Sequence, residues 1–504
     1  MEKSSVKSSK LITKSNIKSE NESKSSLCSD SSGQCYMKRE NASKFSPLLR
    51  QILTAGAPIL STVAAGFTTG FSAIFLPQIQ SNSSSINVTN EESSWIASIA
   101  AFGMAPGCLI GGFIMQKYGR KFAQYFLCIP TILGWLSILF AKNVPFLILG
   151  RLLTGLATGL LGPPASVYIG ETSEPKYRGF LLASITFSLS FGILLCHVLG
   201  TFYHWRIVAC VAGVFPITMF IILSFVPESP SWLMTQHRLK EAEEAFLWLR
   251  GNSHDALFEL ESLVKKHDIL KKEEDATEEQ SSYEKLKTNL AKPEFVMPLA
   301  IILFFFFVMQ FSGVNSVAFY TVSLMKNITG AGNEYLSMII IDTVRVLVSF
   351  IACIFLKICY RRTLMLISGV GTSVCLLSVS MFMYFDKTTP NNSNYSWLSM
   401  TFLIGYICFI SFGIFPLPWV LQGEMLQQVT RGFSSGLTSS FNFICFFVVV
   451  KTFVDLSETL ETFGVFLVYG CIALIGTIVL YVILPETKNK TLQQIEDSFS
   501  SKRS

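Results

Sequence analysis

Long apolar runs follow one another from about residue 50 to the C-terminus, and short polar loops separate them. A membrane-spanning helix needs roughly 20 apolar residues, because each residue rises ~1.5 Å and the hydrocarbon layer is ~30 Å thick. Twelve runs reach that length, at residues 53–77, 94–116, 122–141, 144–168, 181–201, 207–226, 296–324, 335–356, 363–384, 397–421, 435–455 and 462–483. The pattern predicts an all-α membrane protein with six spans, a polar connector and six further spans.

The polar segments divide the chain into five predicted parts. A disordered, Ser- and Lys-rich tail precedes a first six-helix bundle, and a connector joins that bundle to a second one, which a short tail follows. The parts cover residues 1–50, 51–233, 234–295, 296–484 and 485–504. Within the connector, residues 238–250 place Ala242, Ala245, Phe246 and Leu249 on one helical face, so amphipathic helices are expected there.

Composition narrows the class of protein further. Only 15% of the 504 residues are charged, against ~25% in soluble proteins. Most of the charges lie in the tails and the connector, which leaves too few to cover a water-soluble body. We therefore exclude a cytosolic enzyme and a disordered scaffold. The sequence also has no metal-ligand spacing, nucleotide-binding loop or catalytic triad, so we expect no enzymatic activity, cofactor, metal or nucleic-acid partner.

The basic residues that follow spans two, four, eight and ten all lie on one side of the predicted bundle, and the tails and the connector share that side. These residues are Lys117, Arg120, Lys121, Lys176, Arg178, Arg361, Arg362 and Arg431. Because positive loops stay on the cytoplasmic side, this side and both termini are predicted to be cytoplasmic. The opposite loops carry Asn-x-Ser/Thr sequons, where glycosylation is expected. The sequons are at Asn82, Asn87, Asn327, Asn391 and Asn394.

The two halves of the chain repeat a charged motif. Glu171 stands seven residues before Arg178 at the end of the fourth span, and Glu424 stands seven residues before Arg431 at the end of the tenth. Two homologous bundles in the same orientation suit alternating access, in which the halves rock about a central site. We predict a gating network of salt bridges at this end; the alternative is that each Arg anchors its loop to lipid phosphates. The network comprises Arg120, Glu171, Arg178, Arg361, Glu424 and Arg431.

Seven motifs, in order at span boundaries, resemble the sugar porters of the major facilitator superfamily over nearly all of residues 50–495. They are GGFIMQKYGRK (111–121), GRLLTGLATG (150–159), VYIGETSEPKYRG (167–179), PESPSWL (227–233), QFSGVNSVAFYT (310–321), PLPW (416–419) and PETKNKTL (485–492). The branch of insect facilitated trehalose transporter-like proteins is the most similar. The resemblance implies the major facilitator fold, a monomer in the plasma membrane, and transport of a sugar, trehalose or a hexose.

Sugar hydroxyls need neutral hydrogen-bonding side chains and an apolar surface for the C–H face of the ring. The resemblance implies that Gln310 and Asn315 are the principal hydroxyl ligands, that Asn442 is a third, and that Trp419 is an aromatic lid. Thr186 is a further candidate substrate-binding residue; it stands where hexose porters have Gln, so substrate identity is not carried over from them. The alternatives are interhelical hydrogen bonds for the amides and interfacial anchoring for Trp419.

Two charges lie within the eighth predicted span. Asp342 and Arg345 are three residues apart, so they share one helix face. A charge inside a membrane costs several kcal/mol unless it is paired. We therefore expect either an internal ion pair or a contact of Arg345 with the substrate.

The sequence also bears on whether transport is coupled to the movement of protons. Proton-driven sugar porters resemble this chain but carry an acidic residue in the first span, where this chain has Thr68. A uniporter is therefore predicted. The alternatives are a proton-coupled sugar porter, a porter for a polyol or an anionic solute, and a sugar receptor that does not transport.

Overall fold

In the computed structural model, the described residues are 46–80, 86, 88–254, 256–261, 264, 293–319, 334–388, 396–426, 431–488 and 499. All regular secondary structure in these ranges is helical. The helices are α1 (Pro47–Ile79), α2 (Asn90–Tyr118), α3 (Arg120–Leu139), α4 (Val144–Thr172), α5 (Pro175–Phe202), α6 (Trp205–Ala212), α7 (Val214–Phe225), α8 (Pro230–Thr235), α9 (Leu239–Arg250), α10 (Pro293–Phe311), α11 (Val314–Phe319), α12 (Glu334–Ile358), α13 (Arg361–Thr388), α14 (Ser396–Phe412), α15 (Leu417–Met425), α16 (Arg431–Thr459) and α17 (Glu461–Ile483).

These helices account for the predicted spans. Eleven segments are long and apolar enough to cross a membrane, and the seventh span appears as the shorter apolar helix Phe295–Phe311 within α10. Three spans are interrupted: α6 and α7 form the sixth, α10 and α11 the seventh, and α14 and α15 the tenth. The prediction of an all-helical membrane protein is thus confirmed.

The first helix begins earlier than its apolar run does. Residues 47–50, which the sequence analysis placed in the tail, belong to α1. The charge of Arg50 suggested a polar tail, but its Nη1 donates to the Trp248 carbonyl at 2.7 Å. Gln51 donates to the neighbouring Leu249 carbonyl at 3.3 Å. These bonds satisfy the free carbonyls at the end of α9 and attach the connector to the first span.

The connector helix α9 buries one face. Ala242, Ala245, Phe246 and Leu249, the face indicated by the spacing, are all buried. Ala242, Ala245 and Phe246 pack with Trp232 of α8 in one apolar cluster. Gly251 ends the helix with a φ of 74°, a left-handed conformation that Gly adopts without steric cost.

Close helix packing within the first half depends on small residues. A Cβ on Gly159 of α4 would lie 2.0 Å from the Met104 carbonyl oxygen of α2, and one on Gly192 of α5 would lie 2.3 Å from the Val63 carbonyl oxygen of α1. Because helix association in lipid depends on van der Waals contact, such approaches stabilise the bundle.

The two halves meet mainly along two helix pairs. The first pair is α2 and α16, where the rings of Phe102 and Phe447 are 5.8 Å apart. The second is α5 and α12, where the hydroxyls of Ser190 and Ser349 are 3.2 Å apart. Anything held between the halves is therefore enclosed by these two seams.

Candidate functional site

The ends of α3 and α4 carry the first of two charged clusters. Arg120 Nε and Glu171 Oε2 are 2.9 Å apart, and both side chains are buried. The Glu228 carboxylate accepts the backbone N–H groups of Arg120 at 3.1 Å and of Lys121 at 2.9 Å, at the positively polarised start of α3. Burial raises the pKa of Glu228, while its hydrogen bonds and Arg120 oppose this shift. We call the end of the molecule that holds this cluster the gate end, and the opposite end the far end.

The second half repeats the cluster. Arg361 Nη2 and Glu424 Oε1 are 2.9 Å apart. The Thr487 hydroxyl donates to Glu424 at 2.7 Å, as the Ser229 hydroxyl donates to Glu171 in the first half. Glu486 accepts the backbone N–H of Arg361 at 3.1 Å, as Glu228 does for Arg120. The repeat seen in the sequence therefore has matching side-chain partners.

Arg178, near the start of α5, is within electrostatic range of both clusters. The acidic residues that act on it are Glu259 of the connector, Glu424 of the other half and Glu171 of its own half. Arg361 Nη2 is 3.8 Å from where a Cβ of Gly179 would stand, so the second cluster lies against α5. The side chain of the remaining network residue, Arg431, lies outside the described residues. The arrangement brings five of the six predicted gating residues to one end of the molecule.

Three amide side chains meet at the break between α10 and α11. Gln310 Nε2 donates to Asn442 Oδ1 of α16 at 2.7 Å, and Asn315 Nδ2 donates to Gln310 Oε1 at 2.7 Å. Gln310 and Asn442 are buried, whereas Asn315 is partly exposed. We call these three residues the amide cluster. The Gln310–Asn442 bond is an interhelical hydrogen bond, the alternative named for these amides in the sequence analysis. The side-chain oxygen of Asn315 and the side-chain nitrogen of Asn442 take no part in these two bonds, so they can also meet a ligand.

Gly313 creates the break that permits this arrangement. Its φ is 81°, and a Cβ there would lie 2.4 Å from the Tyr469 ring. The Tyr406 hydroxyl donates to the Ser312 carbonyl at 2.8 Å, which satisfies a backbone group near the helix interruption. The break brings Gln310 and Asn315 into hydrogen-bond contact.

Aromatic rings adjoin the amide cluster. Trp419, at the start of α15, is 4.9 Å from the Phe306 ring and 6.3 Å from that of Phe443, the residue after Asn442. These rings provide an apolar surface next to hydrogen-bonding amides. Thr186 is buried on α5 and its hydroxyl donates to the Ala183 carbonyl of its own helix at 2.9 Å. The structure thus places Trp419 near the amides and gives Thr186 an intrahelical bond.

The charges of α12 form a pair and engage a third residue. Arg345 Nη1 lies 3.3 Å from Asp342 Oδ1. Asp342 Oδ2 is in hydrogen-bond contact with His197 Nδ1 of α5. Nε and Nη2 of Arg345 are buried without a hydrogen-bond partner in the described structure. Sequence reasoning missed His197; a lone His inside an apolar span, which is costly when unpaired, was the available signal.

The remaining predicted positions are not placed by the structure. The five sequons at Asn82, Asn87, Asn327, Asn391 and Asn394 lie outside the described residues. Among the residues that are described, no group of three His, Cys, Asp or Glu side chains is arranged to hold a metal ion.

Comparison with known proteins shows which family this chain matches. The profile of the family described as "Sugar (and other) transporter" matches residues 54–499. A facilitated trehalose transporter, Tret1, of Polypedilum vanderplanki is 32% identical over 447 residues, which cover 88% of this chain and 87% of that protein. Tret1 of Anopheles gambiae is also 32% identical over 447 residues, but the chain spans only 55% of its length.

The fold has solved counterparts as well. The proton:xylose symporter XylE, of the major facilitator superfamily and bound to 6-bromo-6-deoxy-D-glucose, aligns with a TM-score of 0.78 at 19% identity. The alignment covers 90% of this chain and all of that chain. At this identity the likeness shows the fold, and the predicted major facilitator fold is confirmed.

Proposed function

The chain belongs to the sugar transporter family, and from this premise we propose that it is a facilitative transporter that moves trehalose or a hexose by alternating access. The observation that carries the proposal is the amide cluster beside Trp419. Neutral amides exchange hydrogen bonds with sugar hydroxyls as water does, and an indole ring packs against the C–H face of a sugar. Two matched relatives named facilitated trehalose transporters support the substrate class.

The proposed cycle uses the geometry of the two seams. With the far end open, a sugar enters between the halves and bonds to the Asn315 oxygen and the Asn442 nitrogen. Gln310 bonds to both residues at 2.7 Å, so it orients their free polar atoms. Closing around the sugar replaces its hydration with fixed partners, and the gate end then opens.

The charged clusters at the gate end stabilise the state in which that end is closed. Arg120 with Glu171 and Arg361 with Glu424 keep each half rigid, since breaking a buried pair leaves a charge uncompensated. Arg178 interacts with carboxylates of both halves. Rocking the halves apart moves Arg178 away from Glu424, so their electrostatic attraction favours the state in which the gate end is closed.

A uniport cycle agrees with the surroundings of Thr68. Arg151 Nη1 donates to the Thr68 carbonyl at 2.8 Å, and its Nη2 donates to the Ser72 hydroxyl at 2.7 Å. The buried Arg151 therefore binds neutral oxygens on α1. Position 68 itself carries no group that titrates, so α1 supplies no proton carrier there.

We place the protein in the plasma membrane as a monomer, with the gate end and both termini in the cytoplasm. The orientation follows from the basic residues Arg120, Lys121, Arg361 and Arg362 at that end. The sequons then face the outside, where they are available for glycosylation.

Transport by the purified full-length protein in liposomes tests the proposal. Labelled trehalose, glucose, fructose and a polyol are offered without an ion gradient. We expect saturable entry of trehalose or a hexose, unaffected by a protonophore. Entry of none of these solutes, or entry that the protonophore abolishes, contradicts it.

A second candidate substrate class is favoured by Arg345. Two of its nitrogens are buried and unbonded in the described structure, and Tyr406 lies within its electrostatic reach. A carboxylate or acidic polyol would pair with them. Stronger inhibition of labelled sugar entry by gluconate than by glucose would favour this class.

A further inference from the structure

A buried charge group connects the two halves on the far-end side of the bundle. It consists of His197 on α5, Asp342 on α12 and Arg345, one turn along the same helix. Their relative exposed areas are 0%, 1% and 5%. His197 belongs to the first half and Asp342 to the second, so this contact exists only while α5 and α12 are packed together at this level.

The hydrogen bonds of His197 indicate how many protons His197 and Asp342 hold together. Nδ1 contacts the Asp342 carboxylate, and Nε2 lies 3.1 Å from the Gly70 carbonyl oxygen of α1. A carbonyl only accepts hydrogen bonds, and an ionised carboxylate only accepts them too. A neutral imidazole has one N–H, so beside an ionised carboxylate it can donate to only one of the two oxygens. For both contacts to be hydrogen bonds, the His197–Asp342 pair must hold one additional proton. Arg345 Nη1, 3.3 Å from Asp342 Oδ1, places a positive charge beside that carboxyl group.

The imidazole ring of His197 is closely packed against α1. A Cβ on Gly70 would stand 3.0 Å from His197 Nε2, so α1 approaches the ring closely because residue 70 is Gly. Other ionisable groups near the site are Arg151 of α4, which is bound to α1, Cys196 beside His197, and Tyr406 of α14, which interacts electrostatically with Arg345. Among the described residues of α1 at this level, from residue 66 to residue 73, none is acidic or basic.

Parting of α5 and α12 at the far end would separate this pair. His197 is five residues from the end of α5, so it lies about 7.5 Å below that end at ~1.5 Å per residue. When α5 and α12 part there, His197 loses its carboxylate and becomes accessible to water. The closed state therefore binds the proton more tightly than the open state does, and by linkage the proton favours closure.

We propose that His197 and Asp342 form a proton-binding site that latches the far end of the transporter. On closing, an N–H bond forms on the imidazole with a proton from the outside solution; on opening, that bond breaks and the proton returns to the same side. The proton regulates the cycle and is not carried across. The proposal relies on the proposed function only for the orientation of the far end.

Distance measurements between spin labels test the latch without requiring sugar transport. Tyr203 at the end of α5 and Leu336 at the start of α12 are exposed, and each is replaced by Cys for labelling, after accessible native cysteines are changed to Ser. The full-length protein in nanodiscs is compared at about pH 5.5 and about pH 8, on either side of the ordinary histidine range. We expect the ratio of short to long distances to be about tenfold higher at the acidic pH, a coupling of ordinary size between two sites.

Two variants isolate the titrating group. His197→Gln keeps a donor toward Asp342 but has no proton to gain, so the pH response should fall to less than about twofold. Ser349→Ala removes the neighbouring Ser190–Ser349 contact of the same seam and should keep the full response. A native protein without a pH response, a response that survives His197→Gln, or equal loss in Ser349→Ala overturns the proposal.

Proton movement is measured separately. Liposomes that contain a pH-sensitive dye should show no sugar-dependent acidification, whether or not sugar enters. Acidification that requires His197 would show that the proton crosses the membrane, and this would overturn the one-sided latch. A protein that shows the pH-dependent distances but transports no sugar contradicts the proposed function alone.

Discussion

Adding one methyl group where the halves meet at the gate end should bias the transport cycle. A Cβ on Gly112 of α2 would lie 2.7 Å from the Gly432 carbonyl oxygen and 3.1 Å from the Gly436 Cα of α16. Ordinary contact begins at 3.4 Å, so Gly112→Ala requires the helices to separate by about 0.7 Å. The opposing atoms belong to the backbone and have no rotamer with which to avoid the clash.

The cost applies only to conformations in which the gate end is closed. Overpacking by one methyl costs about 1–3 kcal/mol, which shifts the closed-to-open equilibrium about 5- to 150-fold toward open. Spin labels on the exposed positions Phe122 and Tyr360, both at the gate end, should show a larger long-distance population. Sugar entry should become slower because the protein reaches the far-end-open state less often.

A matched glycine controls for the added methyl. Gly56 of α1 has no neighbouring atom within 4 Å of an added Cβ, so Gly56→Ala should leave the distances and the entry rate unchanged. Unchanged distances in Gly112→Ala, in a protein as stable as the native one, would refute the reasoning that this seam closes the gate end.

Three further changes test the site and the clusters. Gln310→Ala leaves two amides without their shared partner at about 1–3 kcal/mol for each unsatisfied group, so KM for the transported sugar should rise at least about tenfold; an unchanged KM would remove Gln310 from the site. Glu171→Gln leaves buried Arg120 uncompensated and should cost about 3–5 kcal/mol of stability, measured as a lower Tm of the purified protein. Because burial raises the pKa of Glu228, its folded form holds a proton that the unfolded form releases, so stability falls as pH rises above the ordinary value of 4.5. Glu228→Gln should flatten this part of the profile of Tm against pH, and a profile identical to that of the native protein would contradict the assignment.

Most of the membrane-spanning helices could be predicted from the sequence, because each span must be long enough to cross the hydrocarbon layer. The run that became α12 was placed at 335–356, and the helix is Glu334–Ile358. The duplicated Glu and Arg positions also predicted matching clusters, since duplicated backbones place equivalent side chains alike. The break after Gln310 was foreseeable from Ser312-Gly313, since Gly permits the positive φ found there.

Contacts between helices that are far apart in the sequence were harder to predict from it. His197 and Asp342 are 145 residues apart, and nothing local to either position names the other. Only the packing of α5 against α12 and the close approach of Gly70 bring three helices to one ring. The start of α1 was misjudged for a similar reason, because the partner of Arg50 is a carbonyl 198 residues away.

Counterflow in liposomes tests the central claim most directly. The purified protein is reconstituted into vesicles preloaded with unlabelled trehalose or hexose, and labelled sugar is added outside in the presence of a protonophore. A carrier that alternates between two closed ends should accumulate label transiently above its equilibrium level, and Gln310→Ala should abolish the overshoot. Entry that rises to equilibrium without an overshoot, or no entry for any sugar tested, would contradict a facilitative carrier.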